Sequence, residues 1–253
     1  MTTQEPANTG NGRRIGLVLA VLVLVGVVAV VGYGLWYLFL QPAGPAAVGS
    51  EPLAPIPSSA ASSVPLASGG TDGTWNVDTS IGSFSDSSGT FVGYRVQEQL
   101  ASIGANTAVG RTPKVTGSMT LQGTQVTAAT ITADMTALQS NDDRRDGQLA
   151  HQGIEYSTFP TATFTLTSPI DLGSIPADGT QVKVTAKGQL TLHGVTKDVE
   201  IPMTAQISGG VIEVAGSLPI AFSDYGIQAP TSFAVLSVDD HGTMEFQVFF
   251  AHA

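Results

Sequence analysis

The longest regular pattern in the sequence is an alternation of apolar and polar residues over Val182–Leu192. One parity carries valine, alanine, glycine and leucine, whereas the other carries lysine, threonine and glutamine. A period of two predicts a β-strand with one buried and one exposed face. A second alternating run follows over Val199–Ile207. The two runs together predict a long antiparallel hairpin with its turn at His193–Asp198.

Shorter alternating segments recur through the C-terminal two thirds of the chain, separated by turn-forming residues. The predicted strands comprise Trp75–Val77, Phe91–Val96, Val115–Leu121, Gln125–Met135, Ala162–Leu166, Ile212–Ile220 and Met244–Phe250, besides the two strands of the hairpin. Many strands with almost no helical periodicity predict an all-β fold, either an antiparallel barrel or a sandwich.

One charged segment, Ser140–Leu149, departs from the strand pattern. Ser140 and Asp143 have the spacing of a capping box, which predicts a short helix over one end of the barrel. The charge run from Asp142 to Asp146 has two interpretations. It is either a solvated helix with internal ion pairs or a charged clamp for a ligand, and the first is the more common use of such a run.

The N-terminal third has a different composition. Residues 1–14 form a polar tail that ends in two arginines, and residues 15–40 contain no charge. At ~1.5 Å per residue this segment reaches roughly 39 Å, which predicts a single transmembrane helix with a cytoplasmic N-terminus. A cleaved signal peptide is the alternative, although its apolar core is usually shorter. Residues 41–71, rich in Pro, Ala and Ser, are expected to form a flexible linker that spans roughly 30 Å. Residues 72–253 are then an extracytoplasmic domain anchored to the cell membrane.

Composition and charge exclude several classes of function. The net charge of −10 with no basic patch argues against nucleic-acid binding. The chain has no cysteine and only four histidines, none of them in a metal-binding motif, so no metal site is expected. No nucleotide-binding loop or nucleophile elbow occurs. An enzyme that uses Asp146 or His193 as acid or base is therefore the least favoured hypothesis.

Small residues occur among the large ones on the faces that should point inward. They are Gly117, Ala133, Ala162, Ala186, Gly188, Ala205 and Gly216. An eight-stranded barrel is wide enough either to be filled by side chains or to hold one small apolar ligand. The small residues therefore either leave a channel or merely match the taper of a solid interior.

Five motifs, in this order and spacing, resemble the YceI-like family. They are T-W-N-V-D (Thr74–Asp78), R-R-D-x-x-L (Arg144–Leu149), Y-x-x-F-P-x-A-T-F (Tyr156–Phe164), G-Q-L-T-L-H-G-V-T-K (Gly188–Lys197) and F-S-D-Y-G-I (Phe222–Ile227). The resemblance covers nearly all of residues 72–253. It implies an extended, lipocalin-like antiparallel β-barrel of about eight strands that holds a polyisoprenoid or quinone-type lipid and has no catalytic activity or further cofactor.

If the barrel carries such a lipid, inward-facing apolar side chains should contact it. The expected ligand-binding residues are Met119, Ile131, Phe164, Val184, Ala186, Leu190, Leu192, Met203 and Phe246. The sequence thus predicts a membrane-anchored carrier or store for an isoprenoid lipid. A cell-envelope structural or protein-interaction module with a solid barrel is the alternative.

Overall fold

Thirteen antiparallel strands make up one continuous sheet in the part of the chain that the structure describes. The structure is a computed structural model, and it describes residues 22–33, 44–49, 52–56, 70–101, 104–230 and 235–253. The strands are β1 (Gly73–Val77), β2 (Phe91–Leu100), β3 (Gly104–Thr112), β4 (Val115–Gln122), β5 (Gln125–Asp134), β6 (Gln139–Ser140), β7 (Thr161–Leu166), β8 (Ile170–Asp171), β9 (Gln181–Leu192), β10 (Val195–Ser208), β11 (Val211–Ala221), β12 (Val235–Val238) and β13 (His241–His252).

Eight of these strands close into a barrel in the order β1-β4-β5-β7-β9-β10-β11-β13, because β13 pairs back onto β1. The closing register places Trp75 opposite His252 and Val77 opposite Phe250. The first half of β13 pairs with β2 instead, and β3 continues the sheet beyond β2. The fold is therefore the all-β antiparallel barrel expected from the sequence, with an extension along one side. Strands β3, β6, β8 and β12 have no counterpart among the predicted strands.

The long hairpin formed by β9 and β10 has a tighter turn than the sequence predicts. β10 begins at Val195, which pairs with Leu192, so the turn consists of His193 and Gly194 alone. Both residues have positive φ, 51° and 73° respectively, as in a type I′ hairpin turn. The predicted turn His193–Asp198 was too long because Thr196–Asp198, although polar and exposed, belong to a regular strand. The predicted faces of β9 are confirmed: Ala186 is buried and Lys187 is exposed.

The predicted short helix is confirmed as α2 (Asp143–Leu149), but its cap differs from the prediction. Asp142, rather than Ser140, is the N-cap residue, and its side chain accepts a hydrogen bond from the Arg144 amide. Ser140 belongs to β6 and exchanges hydrogen bonds with the backbone of Asp142. The capping-box prediction therefore placed the start of the helix two residues early. Arg145 also pairs outside the helix, with Glu98 on β2 at 2.6 Å.

The chain divides into two units, one that begins at Gly44 and an N-terminal one that precedes it. Residues 22–33 of the N-terminal unit form helix α1. Within the described residues, no helix has the length and apolarity needed to span a membrane. The predicted transmembrane segment 15–40 lies largely outside the described residues, as does the polar tail 1–14, so both stay predictions.

Residues 44–49 and 52–56, which we term the covering segment, contact the outer face of the barrel. Arg95 and Arg111 donate hydrogen bonds to the Pro45 and Ala46 carbonyl oxygens at 2.7 and 2.9 Å. Further along, Gln206 Nε2 donates to the Ala54 carbonyl oxygen at 2.9 Å. The expectation of a flexible linker gave no sign of these contacts.

A buried charged cluster lies beneath the covering segment. Glu245 is 1 % exposed and accepts hydrogen bonds from Arg111 and Arg95, with the Arg111 Nη2–Glu245 Oε1 distance at 2.6 Å. The Arg111 guanidinium also lies 3.9 Å from the centroid of the Phe91 ring. Outward-facing residues in this part of the sheet, such as Arg111 and Glu245, are therefore as well shielded from solvent as the inward-facing ones.

Candidate ligand-binding cavity

The barrel encloses a cavity of about 170 Å³ whose wall is almost wholly apolar. Three of the lining residues are polar, namely Thr71, Thr163 and Gln206, and none has an ionised carboxylate or a basic group. A polar ligand would lose its hydration there without gaining hydrogen bonds, at a cost of several kcal/mol for each group of roughly amide polarity. The wall therefore favours an apolar guest.

The cavity is long relative to its volume. Its lining runs from Val126 to Ala133 along β5 and from Val182 to Leu190 along β9. At about 3.3 Å per residue these stretches measure roughly 23 and 26 Å along the strands, or about 20 Å along a barrel axis to which strands tilt by 35–45°. A small volume spread over such a length describes a narrow channel, which suits a chain-like molecule better than a compact one.

Alanine and glycine have different effects on this channel. Ala133, Ala162, Ala186 and Ala205 line it, as the sequence suggests for small inward residues. Gly117, Gly188 and Gly216 are not among the lining residues, because neighbouring atoms already occupy the space beside them. A Cβ on Gly188 would clash with the Phe164 ring. Glycine therefore permits the close approach of ring and strand, and it affects the lumen only through the position of the ring.

The space beside Gly216 and Gly117 is also occupied, in the first case by a ring and in the second by backbone. A Cβ on Gly216 would lie 2.9 Å from the Phe246 ring, so Phe246 covers it from the next strand. Gly117 has φ 138°, and a Cβ there would clash with the Thr130 carbonyl oxygen of β5. The rings of Phe164 and Phe246 then form part of the cavity wall.

Eight of the nine predicted ligand-binding residues line the cavity. They are Met119, Ile131, Phe164, Val184, Ala186, Leu190, Met203 and Phe246. The ninth, Leu192, does not; it packs beyond the end of the channel, against the clusters built around Ala133 and Tyr225. Leu192 has the predicted parity but follows Leu190 by two residues, which places it past the channel end. Contact of these residues with a ligand stays a prediction.

Sequence reasoning missed two groups of lining residues. The first group extends strands whose inward parity was already assigned, such as Leu121, Val182 and Phe250. Their parity alone would have identified them. The second group lies in and after β8 and comprises Ile170, Leu172, Ile175 and Pro176. No periodicity marks this segment, and only its apolar content in a turn-rich region is a signal.

The end of the channel near Val92, which lies opposite the end lined by Ile170 and Leu172, adjoins buried polar groups. Tyr94 is the next inward residue after Val92 on β2, and both pack against the cluster of Ala133 and Ala162. Burial raises the pKa of the Tyr94 hydroxyl well above its usual range; the charge of Arg145 opposes this shift and that of Asp146 adds to it.

Two buried polar atoms at this end have no hydrogen-bond partner within the described residues: the Tyr94 hydroxyl and Asp146 Oδ1. The other carboxylate oxygen of Asp146, Oδ2, accepts a hydrogen bond from the Ser140 amide at 2.9 Å. An unsatisfied buried polar group costs about 1–3 kcal/mol, and native structures contain few of them. This end of the channel therefore differs chemically from the rest of its wall.

His193, the other residue considered as an acid or base, has contacts that hold the hairpin tip in place. Its Nδ1 lies 3.0 Å from the Tyr225 carbonyl oxygen and its Nε2 lies 3.3 Å from a Glu155 carboxylate oxygen. Its ring also packs on Phe159, with the centroids 4.2 Å apart. These contacts join three segments that the sequence motifs had marked separately. Among the described residues, no group of three or more His, Asp or Glu side chains could hold a metal ion.

Comparison with known protein families agrees with this architecture. A model of the YceI-like domain matches residues 75–250. The chain belongs to the YceI-like family. The five motifs that suggested the family all fall within the matched region, apart from the first residue of the first motif. No curated protein matches the chain significantly.

Solved structures similar to this YceI-like chain include a polyisoprenoid binding domain from Saccharophagus degradans implicated in plant cell wall breakdown. It is 18% identical, with a TM-score of 0.54, and the match covers 72% of this chain and 99% of that one. BcnA from Burkholderia cenocepacia is 21% identical, with a TM-score of 0.48 and coverage of 63% and 95%. At these identities the first likeness shows the shared fold.

Proposed function

We propose that this YceI-like protein is a membrane-anchored, extracytoplasmic binding protein that transports, stores or sequesters an isoprenoid or quinone-type lipid in its barrel. The narrow apolar channel carries the proposal. Each methylene removed from water contributes about 0.8 kcal/mol, so a long hydrocarbon chain gains far more in this channel than a short or polar ligand. Membership of the family and the fold shared with a polyisoprenoid binding domain support the same ligand class.

Anchoring would complement the channel. A polyisoprenoid is nearly insoluble in water, so a carrier gains from staying close to the bilayer that supplies the lipid. The uncharged segment 15–40 and the two arginines before it support this part of the proposal. The barrel would then lie on the side of the membrane opposite the N-terminus.

The ligand is tested by purifying the full chain from its natural host under mild conditions and extracting it for mass spectrometry. We expect an isoprenoid lipid at a near-stoichiometric ratio. A sample that contains no lipid, and that also fails to take up polyprenols and quinones from vesicles, would contradict the proposal.

Two neighbouring residues of β9 provide a matched pair of variants for this experiment. Ala186 is 1 % exposed and lines the channel, whereas Thr185 is exposed on the opposite face. Ala186→Phe should block the channel and abolish lipid recovery. Thr185→Phe adds a similar ring to the same strand and should leave lipid recovery unchanged. Equal recovery from both variants would show that the lipid binds elsewhere.

The location is tested independently of the ligand. We expect the full chain to fractionate with membranes and to resist extraction by high salt or carbonate. Protease added on the extracytoplasmic side of the cell membrane should digest the barrel domain but not the N-terminal tail. Deletion of residues 15–40 should release the protein from membranes.

The alternative function, a structural or interaction module of the cell envelope, requires a solid barrel. The channel counts against it, because side chains do not fill the interior. Recovery of a tightly bound protein partner with an empty barrel would revive this alternative.

A further inference from the structure

The two unpartnered polar atoms, the Tyr94 hydroxyl and Asp146 Oδ1, lie close to the same pair of backbone residues. Gly110 on β3 pairs with Ser140 on β6. The Tyr94 ring crosses Gly110, since a Cβ built there would lie 2.8 Å from the Tyr94 hydroxyl oxygen. Asp146 binds the Ser140 amide through Oδ2. Both unpartnered atoms therefore lie near the place where β3 pairs with β6, the strand that precedes the helix α2.

This point lies at one end of the channel. Val92 lines the channel, and Tyr94 is two residues further along the same face of β2, at a distance of about 7 Å. Ala133 and Ala162 line the channel and also belong to the cluster on which Tyr94 packs. A chain-like ligand that fills the channel would bring its polar end toward Tyr94 if it entered tail first.

The neighbouring charged groups are already in use. Arg145 Nη2 donates to Glu98 at 2.6 Å, and Arg145 Nη1 donates to Asn141 at 3.1 Å. Glu98 also accepts from Asn106 at 2.7 Å. The hydrogen-bonding capacity that is left over at this point consists of one phenol, which can donate, and one carboxylate oxygen, which accepts.

That combination matches a hydroxyl group better than other polar ends of lipids. A hydroxyl can accept a hydrogen bond from Tyr94 and donate one to Asp146. A quinone carbonyl or an ether only accepts, so Asp146 Oδ1 would stay without a donor. A phosphate would bring negative charge against the Asp146 carboxylate, and Arg145 is committed to Glu98.

We propose that Tyr94 and Asp146 form a headgroup site that selects isoprenoid lipids ending in a hydroxyl group. The site rests on the proposed function, because it needs a lipid in the channel. Two sources share the required chemistry: a polyprenol and the reduced, quinol form of an isoprenoid quinone. The site would reject the oxidised quinone and the polyprenyl phosphate with the same tail.

The test compares lipids with identical tails but different polar ends. The full chain is equilibrated, without oxygen, with phosphatidylcholine vesicles that contain a polyprenol, its methyl ether, its phosphate, or the reduced or oxidised quinone. Bound lipid is quantified by mass spectrometry. We expect at least one hydroxyl-bearing lipid to bind about tenfold more tightly than its hydroxyl-free counterpart, as one buried hydrogen-bonded hydroxyl can provide. The polyprenol and quinol arms identify the source.

Variants separate headgroup selection from tail binding. Tyr94→Phe removes only the hydroxyl and should reduce the preference to about twofold or less while tail binding persists. Tyr225→Phe, a buried tyrosine that does not line the channel, should keep the full preference. Asp146→Asn still offers an oxygen to the Ser140 amide but turns the free acceptor into a donor, so it should shift the preference toward the oxidised quinone.

The outcomes are distinguishable. If the protein binds all the lipids equally and Tyr94→Phe changes nothing, the headgroup site is wrong and the proposed function stands. If no isoprenoid lipid binds, the proposed function itself fails. Thermal unfolding of each variant checks that it is folded. If Tyr94→Phe does not fold, the shift expected for Asp146→Asn decides the question, and an unchanged preference in that variant overturns the proposal.

Discussion

Phe164 and Phe246 define the channel because each covers a glycine of an adjacent strand. The rings stand where a larger residue on the neighbouring strand would otherwise push them into the lumen. The shape of the channel therefore depends on positions that do not line it. This is a relation between side chains on different strands, which the parity of a single strand does not reveal.

Gly188→Ala should destabilise the barrel and narrow the channel. The new methyl group would clash with the Phe164 ring and with the backbone oxygen of Thr165, and overpacking of this kind costs about 1–3 kcal/mol. Urea unfolding measures the loss. Gly147→Ala is the control, since no atom lies within 4 Å of its added Cβ and alanine favours the helix α2. Equal stability of the two variants would show that Phe164 can move without cost.

Glu245→Ala should be among the most damaging substitutions in the barrel. It would leave Arg111, whose side chain is 5% exposed, without its carboxylate partner. Breaking a buried ion pair on one side costs about 3–5 kcal/mol. Glu200→Ala breaks an exposed pair with Lys187 and should cost less than about 1 kcal/mol. Denaturant titration of both variants gives the comparison, and a small loss for Glu245→Ala would contradict the role of the buried pair.

Glu213 should make the barrel less stable as the pH rises. Burial raises the pKa of this carboxyl, and the hydrogen bond from Gln206 opposes the shift. The folded state therefore holds the proton more tightly than the unfolded state, so the stabilising contribution is present below the unfolded pKa of about 4.5 and is lost as the pH rises through the folded pKa. Glu213→Gln should remove this loss. The unfolding free energy of the variant minus that of the wild type should therefore increase as the pH rises from 4 to 8. A constant difference would contradict the prediction.

At the scale of elements, the sequence predicts β9, which has one buried face, and misses β3, which has two, as well as the short strands β6, β8 and β12. β9 alternates cleanly because its outward side is exposed. In β3, by contrast, five consecutive residues from Ala108 to Thr112 are buried. Its inward side meets Tyr94, while Arg111 on its outward side binds the covering segment. A strand without a solvent-exposed face needs no alternation of apolar and polar residues, so its sequence lacks the period of two by which the other strands are predicted.

The candidate site shows the same division. Most of its lining follows from strand parity, as eight of the nine expected residues show. The end formed by Ile170, Leu172 and Ile175 does not, because a loop has no period. The polar end at Tyr94 and Asp146 was equally hidden, since it depends on the pairing of β3 with β6, the strand before α2, and no local pattern encodes that pairing.

Removal of the covering segment should destabilise the barrel. A chain that begins at residue 70 would lose the carbonyl partners of Arg95, Arg111 and Gln206 and the packing of Ile56 on Phe249. Hydrogen bonds to charged groups contribute about 1.5–3 kcal/mol each, although water can replace part of this at an opened surface. We expect a loss of about 2–4 kcal/mol relative to a chain that begins at residue 44. Equal unfolding free energies would show that the segment only rests on the surface.

At the scale of the whole molecule, the barrel depends on contact between its first and last strands. β13 contacts β11 along one edge, and β2 and then β1 along the other. The Ala253 amide adds a hydrogen bond to the Thr74 carbonyl oxygen at 2.9 Å. The lumen is therefore enclosed only when residues far apart in the chain have met.

Removal of residues 250–253 should open the barrel while leaving most of its strands paired. The deletion eliminates the pairing of β1 with β13 and the Phe250 ring from the channel wall. We expect increased binding of a hydrophobic dye and loss of lipid uptake, with little change in far-ultraviolet circular dichroism. Ala251→Ser, which keeps the strand, is the control. Retained lipid uptake by the truncated protein would show that closure is unnecessary.

The pairing of Trp75 with His252 also affects how the chain folds while it is being synthesised. A ribosome makes β1 well before β13, so the apolar inner faces of the earlier strands must wait for a partner that is synthesised last. Contacts of such sequence separation slow folding, and unpaired strand edges aggregate readily while they wait. Export of a nascent chain would prolong that interval. The folding of this protein should therefore respond strongly to chaperones that shield exposed strands, and its yield should fall more steeply with rising synthesis rate than its final stability would suggest.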